Sequence, residues 1–187
     1  MPKLEEAKQG KIRMFFLDAA HFIHGAYLSI LWSFQRIFVR ANSGRSRLNV
    51  LGAVDAVSNE MIHITNTTTI NAWSLVELFR KLREAHPDQP ITLVLDNAKY
   101  QRCYLTQSAA NMLGIELLFL PPYSPNLNLI ERVWKFLRKK CLNAKYYSSF
   151  VEFVDGIQRC IQKFEGVYRE ELRSLLSWNF QTLPKVA

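Results

Sequence analysis

Two short apolar runs that each end on an aspartate constrain the fold of this chain more than any other feature. Residues 12–17 (IRMFFL) precede Asp18, and residues 91–95 (ITLVL) precede Asp96. Runs of this length without polar alternation predict strands that are buried on both faces of a sheet. Active sites of open α/β sheets lie at strand ends, so the pattern predicts two candidate acids there.

Each aspartate has two explanations when it is considered alone. A charged carboxylate beside a buried strand is costly to desolvate, and a bound metal ion would neutralise it. Asp also caps turns through its side chain, and for either residue alone this local explanation is the stronger one. The two positions become informative only together with a third acid.

Glu131 supplies that third acid near the start of a predicted amphipathic helix over Leu129–Leu142. The residues four, seven and eight positions later are basic, and an apolar stripe occupies the opposite face. The basic residues are Lys135, Arg138 and Lys139, and the apolar ones are Ile130, Val133, Trp134, Leu137 and Cys141. The helix dipole also favours a Glu near the N-terminus, so a purely local role stays open. Three carboxylates without a Cys/His cluster suit two Mg²⁺ ions better than zinc.

The order of the elements predicts an α/β fold with a mixed five-stranded sheet and helices on both faces. Antiparallel strands come first, and strand–helix–strand alternation follows. A hairpin or irregular insertion is expected within residues 19–46. The further predicted elements are a β-hairpin around Ser58-Asn59, a helix from the N-cap Asn71 to about Ala85, a helix over 102–113 closed by Gly114, a buried strand over 115–120, and helices over 148–164 and 168–178.

The net charge of +8 is unevenly distributed along the chain. Residues 97–145 contain eight bases and two acids, and residues 31–54 contain four arginines and no acid. Such clusters indicate a polyanionic partner, because Lys and Arg release the counterions that are condensed on phosphates. A solvated face that only aids solubility explains the charge equally well.

Composition argues against membrane and secreted classes. No apolar run approaches the roughly 18–20 residues that span a bilayer, and the N-terminal segment lacks an apolar signal core. Cys103, Cys141 and Cys160 are an odd number without a CxxC pair, so we expect small buried hydrophobes rather than a disulfide framework or a zinc site. These features predict a cytoplasmic protein without a membrane partner.

Three segments resemble the catalytic blocks of DDE transposases of the mariner-like superfamily, bacterial insertion-sequence type. They are DAAHF around Asp18, LVLDNAKY around Asp96 and LPPYSPNLNLIERVWKFLRKK around Glu131. Thirty-four residues separate Asp96 from Glu131, a spacing that is typical of that group. The PPYSPxLNxIE block is highly specific, and the resemblance covers about residues 13–145.

The resemblance implies a ribonuclease-H-like fold with Asp18 on the first strand, Asp96 at the end of the fourth, and Glu131 on the helix after the fifth. These acids would be the catalytic ligands of two Mg²⁺ ions, with Mn²⁺ as a substitute. The implied activity is metal-dependent DNA cleavage and strand transfer during transposition of a bacterial insertion sequence, with the protein on nucleoid DNA. Residues that match the surrounding motif and would shape the site are Asn97, Tyr123, Ser124, Pro125 and Asn128. Candidates for DNA phosphate contacts, from charge and spacing alone, are Lys135, Arg138 and Lys139.

Three positions depart from the pattern of many relatives, and none of them is one of the three acids. Ala19 stands where Glu is common, Gln101 stands where His closes DNxxxH, and Asn126 stands where Asp is common. These departures alter the surroundings of the acids. Asp55 is expected to be structural or exposed. His21 and His24 lie near Asp18 in the sequence, and a structural role is the stronger interpretation of them, with a His that faces the site as the alternative.

The predicted organisation is an N-terminal extension over 1–12, a catalytic domain over 13–145, and C-terminal helices over 146–187 that pack on the same domain. Such transposases usually carry helix-turn-helix domains ahead of the catalytic domain, and about a dozen residues cannot form one. We therefore expect a separate helix-turn-helix subunit or an upstream domain, and a homodimer that brings element ends to a target duplex. The alternatives are a non-catalytic DNA-binding relic or regulator derived from a transposase and, more weakly, a nuclease for RNA–DNA hybrids.

Overall fold

The computed structural model describes residues 2–25, 34, 38, 45–121 and 127–177. The elements in chain order are α1 (Pro2–Lys8), β1 (Arg13–Ile23), β2 (Arg47–Asp55), β3 (Met61–Asn66), α2 (Ala72–Ala85), β4 (Ile91–Leu95), a 3₁₀ turn (Lys99–Gln101), α3 (Tyr104–Met112), β5 (Ile115–Phe119), α4 (Ile130–Leu137) continued by a π-helical segment (Arg138–Leu142), α5 (Phe150–Gln162) and α6 (Arg169–Leu175).

The five strands form one sheet in the order β3-β2-β1-β4-β5. β2 pairs with β1 and with β3 in antiparallel fashion, whereas β4 lies parallel to β1 and to β5. The predicted mixed five-stranded sheet is therefore confirmed. β1, which carries Asp18, lies next to β4, which ends just before Asp96.

Helices cover both faces of the sheet, as the sequence predicted. On one face, α2 and α3 pack against alternate residues of β1, β2 and β4. On the other face, α1, α4, α5 and α6 share a core with the remaining alternate residues. Every residue of β4 is buried, which agrees with a strand that is covered on both sides. Two layers of side chains, one on each face, thus hold the sheet.

Local capping signals account for the helix boundaries that the sequence predicted best. The side chain of Asn71 accepts a hydrogen bond from the backbone of Ser74, and the hydroxyl of Ser74 accepts one from Asn71 N–H. This reciprocal capping box fixes the first turn of α2, which ends at Ala85 as expected. After α3, Gly114 adopts a φ of +62°, the left-handed conformation that favours glycine.

Two strands differ from their predicted forms, β1 in its length and β5 in its burial. β1 continues to Ile23, so Asp18 lies within the strand and not at its exit. The extension is stabilised by β2, whose pairing with β1 runs as far as Ile23 opposite Arg47. β5 is an edge strand and is only partly buried, because no strand pairs with its outer side in the described sheet. The segment before β1 contains the helix α1, and most of the insertion expected over 19–46 lies outside the described residues.

The expectation for the cysteines was wrong for two of the three. Cys141 and Cys160 form a disulfide that joins the π-helical segment to α5. Both residues belong to buried stripes that face each other, and a separation of 19 residues matches no motif that would have revealed the pairing. Cys103 is a free, half-buried thiol. In the described residues, no helix is long and apolar enough to cross a membrane.

Candidate catalytic site

The close approach of α4 to the sheet positions Asp18. In the register of β1 and β2, Asp18 lies opposite Gly52. A Cβ atom on Gly52 would lie 2.9 Å from Cη2 of Trp134 and 2.8 Å from Cε of Met61. Glycine at this position therefore allows the indole of Trp134 to pack against the strand. From there, Trp134 Nε1 donates a hydrogen bond of 3.0 Å to Asp18 Oδ2.

Asp96 is oriented by Gln101, one of the three residues that depart from the pattern of many relatives. It follows β4 directly, and its Oδ1 accepts a 2.7 Å hydrogen bond from Gln101 Nε2. Gln101 is fully buried, and its Oε1 accepts a 3.0 Å hydrogen bond from the backbone N–H of Ala98. An amide thus supplies a neutral donor that stays protonated at every pH where the protein is folded.

Two of the predicted shaping residues connect the acids to their surroundings. Asn97 has a φ of +78°, donates from Nδ2 to the backbone oxygen of Leu120, and accepts from Arg102 Nε at 3.0 Å. Asn128 is buried and donates from Nδ2 to the backbone oxygen of Leu17 at 3.3 Å, one residue before Asp18. Its Oδ1 has no hydrogen-bond partner among the described residues. Tyr123, Ser124, Pro125 and Asn126 lie outside the described residues.

The three acids share one electrostatic neighbourhood. Burial raises the pKa of Asp18 to about 7, and the charges of Glu131 and Asp96 add to the increase. Burial also raises the pKa of Tyr100 to about 12, with further contributions from Asp18 and Asp96. Glu131 lies in the first turn of α4, one turn before Trp134. Within the described residues, no three acidic, His or Cys side chains are close enough together to enclose a metal ion.

Among the described residues, no cation neutralises these carboxylates. Over the described ranges, Lys, Arg and His form no ion pair with Asp18, Asp96 or Glu131, although seven other ion pairs are present. Both aspartates are instead oriented by neutral N–H donors, which leave the negative charge in place.

The basic face predicted on α4 divides into separate groups. Lys135 and Lys139 are exposed and line a depression of about 460 Å³ between α4 and α6. Arg138 is half-buried, with its guanidinium 5.4 Å from the centre of the Phe22 ring. Arg138 therefore has a packing role in addition to its charge.

Three polar residues that were expected to be structural have structural partners. His21 Nδ1 lies 2.6 Å from Asn49 Oδ1, and His24 Nε2 lies 3.0 Å from the backbone oxygen of Tyr147. Asp55 is 2% exposed and accepts hydrogen bonds from the backbone N–H groups of residues 57 and 58. The sequence patterns did not reveal the roles of Trp134 and Gln101 as partners of the aspartates. A lone glycine in the β-rich segment RLNVLGAVD was the available signal for a close approach to the strand.

The sequence of the chain is similar to that of a protein family and of one bacterial protein. The profile of the family "DDE superfamily endonuclease" matches residues 13–154. The uncharacterized protein y4pE/y4sA of Sinorhizobium fredii (strain NBRC 101917 / NGR234) is 36% identical over 62 residues, which cover 33% of this chain and 44% of that protein.

Solved structures are similar in fold. The Mos1 transposase paired-end complex with left transposon end superposes with a TM-score of 0.60 at 16% identity, over 96% of this chain and 60% of the Mos1 chain. The catalytic domain of Mos1 mariner transposase superposes with a TM-score of 0.55 at 15% identity, over 93% of this chain and 87% of that domain. A chain of the simian T-cell lymphotropic virus intasome superposes with a TM-score of 0.58 at 15% identity, over 82% of this chain and 48% of that one. The predicted ribonuclease-H-like fold is therefore confirmed, and the chain spans about 60% of the full Mos1 chain.

We predict that Asp18→Asn stabilises the metal-free protein at pH 8 but not at pH 4. The pKa of Asp18 is raised in the folded protein, so between about pH 4 and pH 7 the native state keeps the proton on Asp18 that the unfolded chain loses. The free energy of unfolding therefore falls as the pH rises through this range. The gain at pH 8 should be about 2–4 kcal/mol, measured by urea denaturation in EDTA. Asp88→Asn, at an exposed position, is the control. An equal gain at both pH values would contradict the burial of this charge.

We predict that Gly52→Ala destabilises the fold by about 1–3 kcal/mol, because its Cβ meets the indole of Trp134. The loss should be smaller when Trp134→Phe removes the distal ring, which a double-mutant cycle of unfolding free energies measures. Gly25→Ala, with no atom within 4 Å of the added Cβ, is the control. Additive effects of Gly52→Ala and Trp134→Phe would refute the contact.

Proposed function

Because the chain belongs to the DDE superfamily endonuclease family, we propose that it is the catalytic domain of a DNA transposase. The proposed reaction is cleavage of DNA at the ends of an insertion sequence, followed by transfer of the cut strand to a target duplex. The observation that carries the proposal is the group formed by Asp18, Asp96 and Glu131, whose charges influence one another and have no cationic partner within the described residues. Such a group is unfavourable unless cations bind it.

The three acids have the oxygen chemistry that hard divalent cations prefer, and their side chains do not enclose a metal position in the described structure. We propose them as the ligands of two Mg²⁺ ions, with Mn²⁺ as a substitute. All three offer carboxylate oxygens, the ligand type that Mg²⁺ prefers. Among the similar structures, Mos1 mariner paired-end complexes are described with Mg and with Mn. When bound, such ions would activate a nucleophile and stabilise charge on the phosphodiester.

Residues of the chain itself would prepare the site. Trp134 and Gln101 each donate a hydrogen bond to one oxygen of an aspartate, which would hold the carboxylate in place without neutralising its charge. Asn128 would support β1 at Leu17 and the start of α4, since its backbone oxygen accepts from Glu131 N–H at 3.2 Å. We propose that Lys135, Arg138 and Lys139 contact DNA phosphates, and that Asn97, Tyr123 and Ser124 shape the loops around the acids.

The larger assembly follows from the same proposal. The domain would comprise residues 13–145, with an extension over 1–12 and supporting helices over 146–187. Its partners would be element ends and target DNA, a second copy of the chain that brings two ends together, and a helix-turn-helix module on a separate subunit or upstream domain. The reaction would take place in the bacterial cytoplasm, on nucleoid DNA.

The test is cleavage of labelled DNA that carries the terminal inverted repeats of the element. Purified protein should nick this DNA with Mg²⁺ or Mn²⁺ but not with EDTA, and Asp96→Asn should reduce the rate at least a hundredfold, since it removes a ligand charge. Asp88→Asn is the matched control. Cleavage that persists in Asp96→Asn would contradict the assignment of Asp96 as a catalytic residue. Salt-dependent DNA binding without metal-dependent nicking would identify a non-catalytic regulator.

We further predict that Gln101→Met raises the Mg²⁺ concentration for half-maximal cleavage roughly tenfold, since a side chain that orients a ligand tunes metal affinity. Met keeps the shape of Gln but removes the donor to Asp96. Gln107→Met, at an exposed position on α3, is the control. A loss of thermal stability with an unchanged Mg²⁺ requirement would assign Gln101 to packing alone.

A further inference from the structure

A second basic depression lies away from the carboxylates, between the π-helical segment and α5. Its volume is about 230 Å³, and no carboxylate lines it within the described residues. The cationic and aromatic side chains that line it are Lys140, Lys145, Arg159, Lys163, Tyr147 and Tyr168. We call this depression the α5 pocket.

Covalent and steric constraints give the α5 pocket its shape. The disulfide between Cys141 and Cys160 fixes the π-helical segment to α5 and forms part of the lining. Tyr147 packs on α5 at Gly156, where a Cβ atom would lie 2.6 Å from its Cε1. The Tyr147 hydroxyl donates a 2.5 Å hydrogen bond to the backbone oxygen of Cys141. The loop before α5 is therefore held against the helix.

That packing brings Lys145 next to the cations of α5. Lys145 Nζ donates a 2.7 Å hydrogen bond to the backbone oxygen of Lys140, which fixes its ammonium at the rim of the pocket. Lys163, the C-cap residue of α5, follows Arg159 by four residues, so both side chains are on one face of the helix end. Cations from three separate segments thus converge on one concavity.

The positive charge of the α5 pocket is only partly compensated. Lys140 pairs with Glu171 at 2.7 Å. In the described part of the chain, Lys145, Arg159 and Lys163 have no ion pair. Like charges at this helical spacing are mildly destabilising, and a concave surface lined by one sign of charge concentrates the potential. An anion in the pocket would reverse this unfavourable balance.

We propose that the α5 pocket binds a phosphate of the DNA backbone at a site separate from the three acids, a proposal that rests on the proposed function. The pocket is too small for a base pair and large enough for a phosphate group. Lys140 follows Glu131 by nine residues, roughly 13 Å along the helix axis. A duplex spans that distance in about four base pairs, so one DNA molecule is long enough to contact both the acids and the pocket.

The test measures DNA binding without cleavage, in an Asp96→Asn background. Arg159→Ala with Lys163→Ala should weaken duplex binding about tenfold near 0.1 M salt and reduce the slope of log affinity against log salt by about 1, because one phosphate contact is lost. Lys145→Ala, in the loop, should reduce both the affinity and the slope by a smaller amount. The matched control is Arg80→Ala with Lys81→Ala, two exposed cations of α2 on the opposite face of the sheet.

Selective loss of binding and slope in the pocket variants would support the proposal, provided that circular dichroism shows an intact fold. Equal loss in the α2 control would show a general charge effect and overturn it, as would unchanged binding in the double and the loop variants. Inorganic phosphate, compared with chloride at the same ionic strength, is the second probe. If phosphate protects the pocket lysines from acetylation but duplex DNA does not, the pocket is a small-anion site and the proposal fails. Nicking by the unmodified chain tests the carboxylates independently.

Discussion

The packing of Trp134 against Gly52, where the strand has no side chain, is the contact on which the geometry of the candidate site depends. It sets how closely α4 approaches the sheet, because a single Cβ atom at Gly52 would overlap the indole ring. At this distance the indole N–H reaches Asp18 in the neighbouring strand. Glu131 precedes Trp134 by one helical turn, so the same contact brings the third acid near the first. The absence of a side chain at Gly52 thus allows Asp18 on β1 and Glu131 on α4 to lie near each other.

The choice of neutral donors around the acids has an energetic consequence. An Arg or Lys partner would lower the pKa of a buried carboxylate and stabilise the metal-free protein. It would also compete with any cation that the carboxylate binds. Trp134 and Gln101 fix the orientation of Asp18 and Asp96 without removing their negative charge. The raised pKa of Asp18 is the cost of this arrangement in the metal-free protein, and cation binding would relieve it.

The sequence predicted features that short-range chemistry determines and missed those that need the assembled fold. Asn71 caps α2 through its own side chain, and the apolar run before Asp96 ends where its strand ends. Asp18 was expected at a strand exit because the apolar run stops there, yet pairing with β2 extends β1 by five residues beyond it. Asp96 and its partner Gln101 are five residues apart, whereas 116 residues separate Asp18 from its partner Trp134. No local pattern encodes such a contact, although a glycine in a strand indicates where to look for one.

The basic residues around the C-terminal end of α4 line different surfaces. Lys135 and Lys139 line the depression beside α6, whereas Arg138 packs on the ring of Phe22. At Arg138 the hydrogen bonding changes to a wider turn, closed by Asn143 N–H on Arg138 O at 2.9 Å. Within this turn, Lys140 lines the α5 pocket and pairs with Glu171. The disulfide between Cys141 and Cys160 joins the same turn to α5, and it therefore holds the α5 pocket in a fixed relation to the helix that carries Glu131.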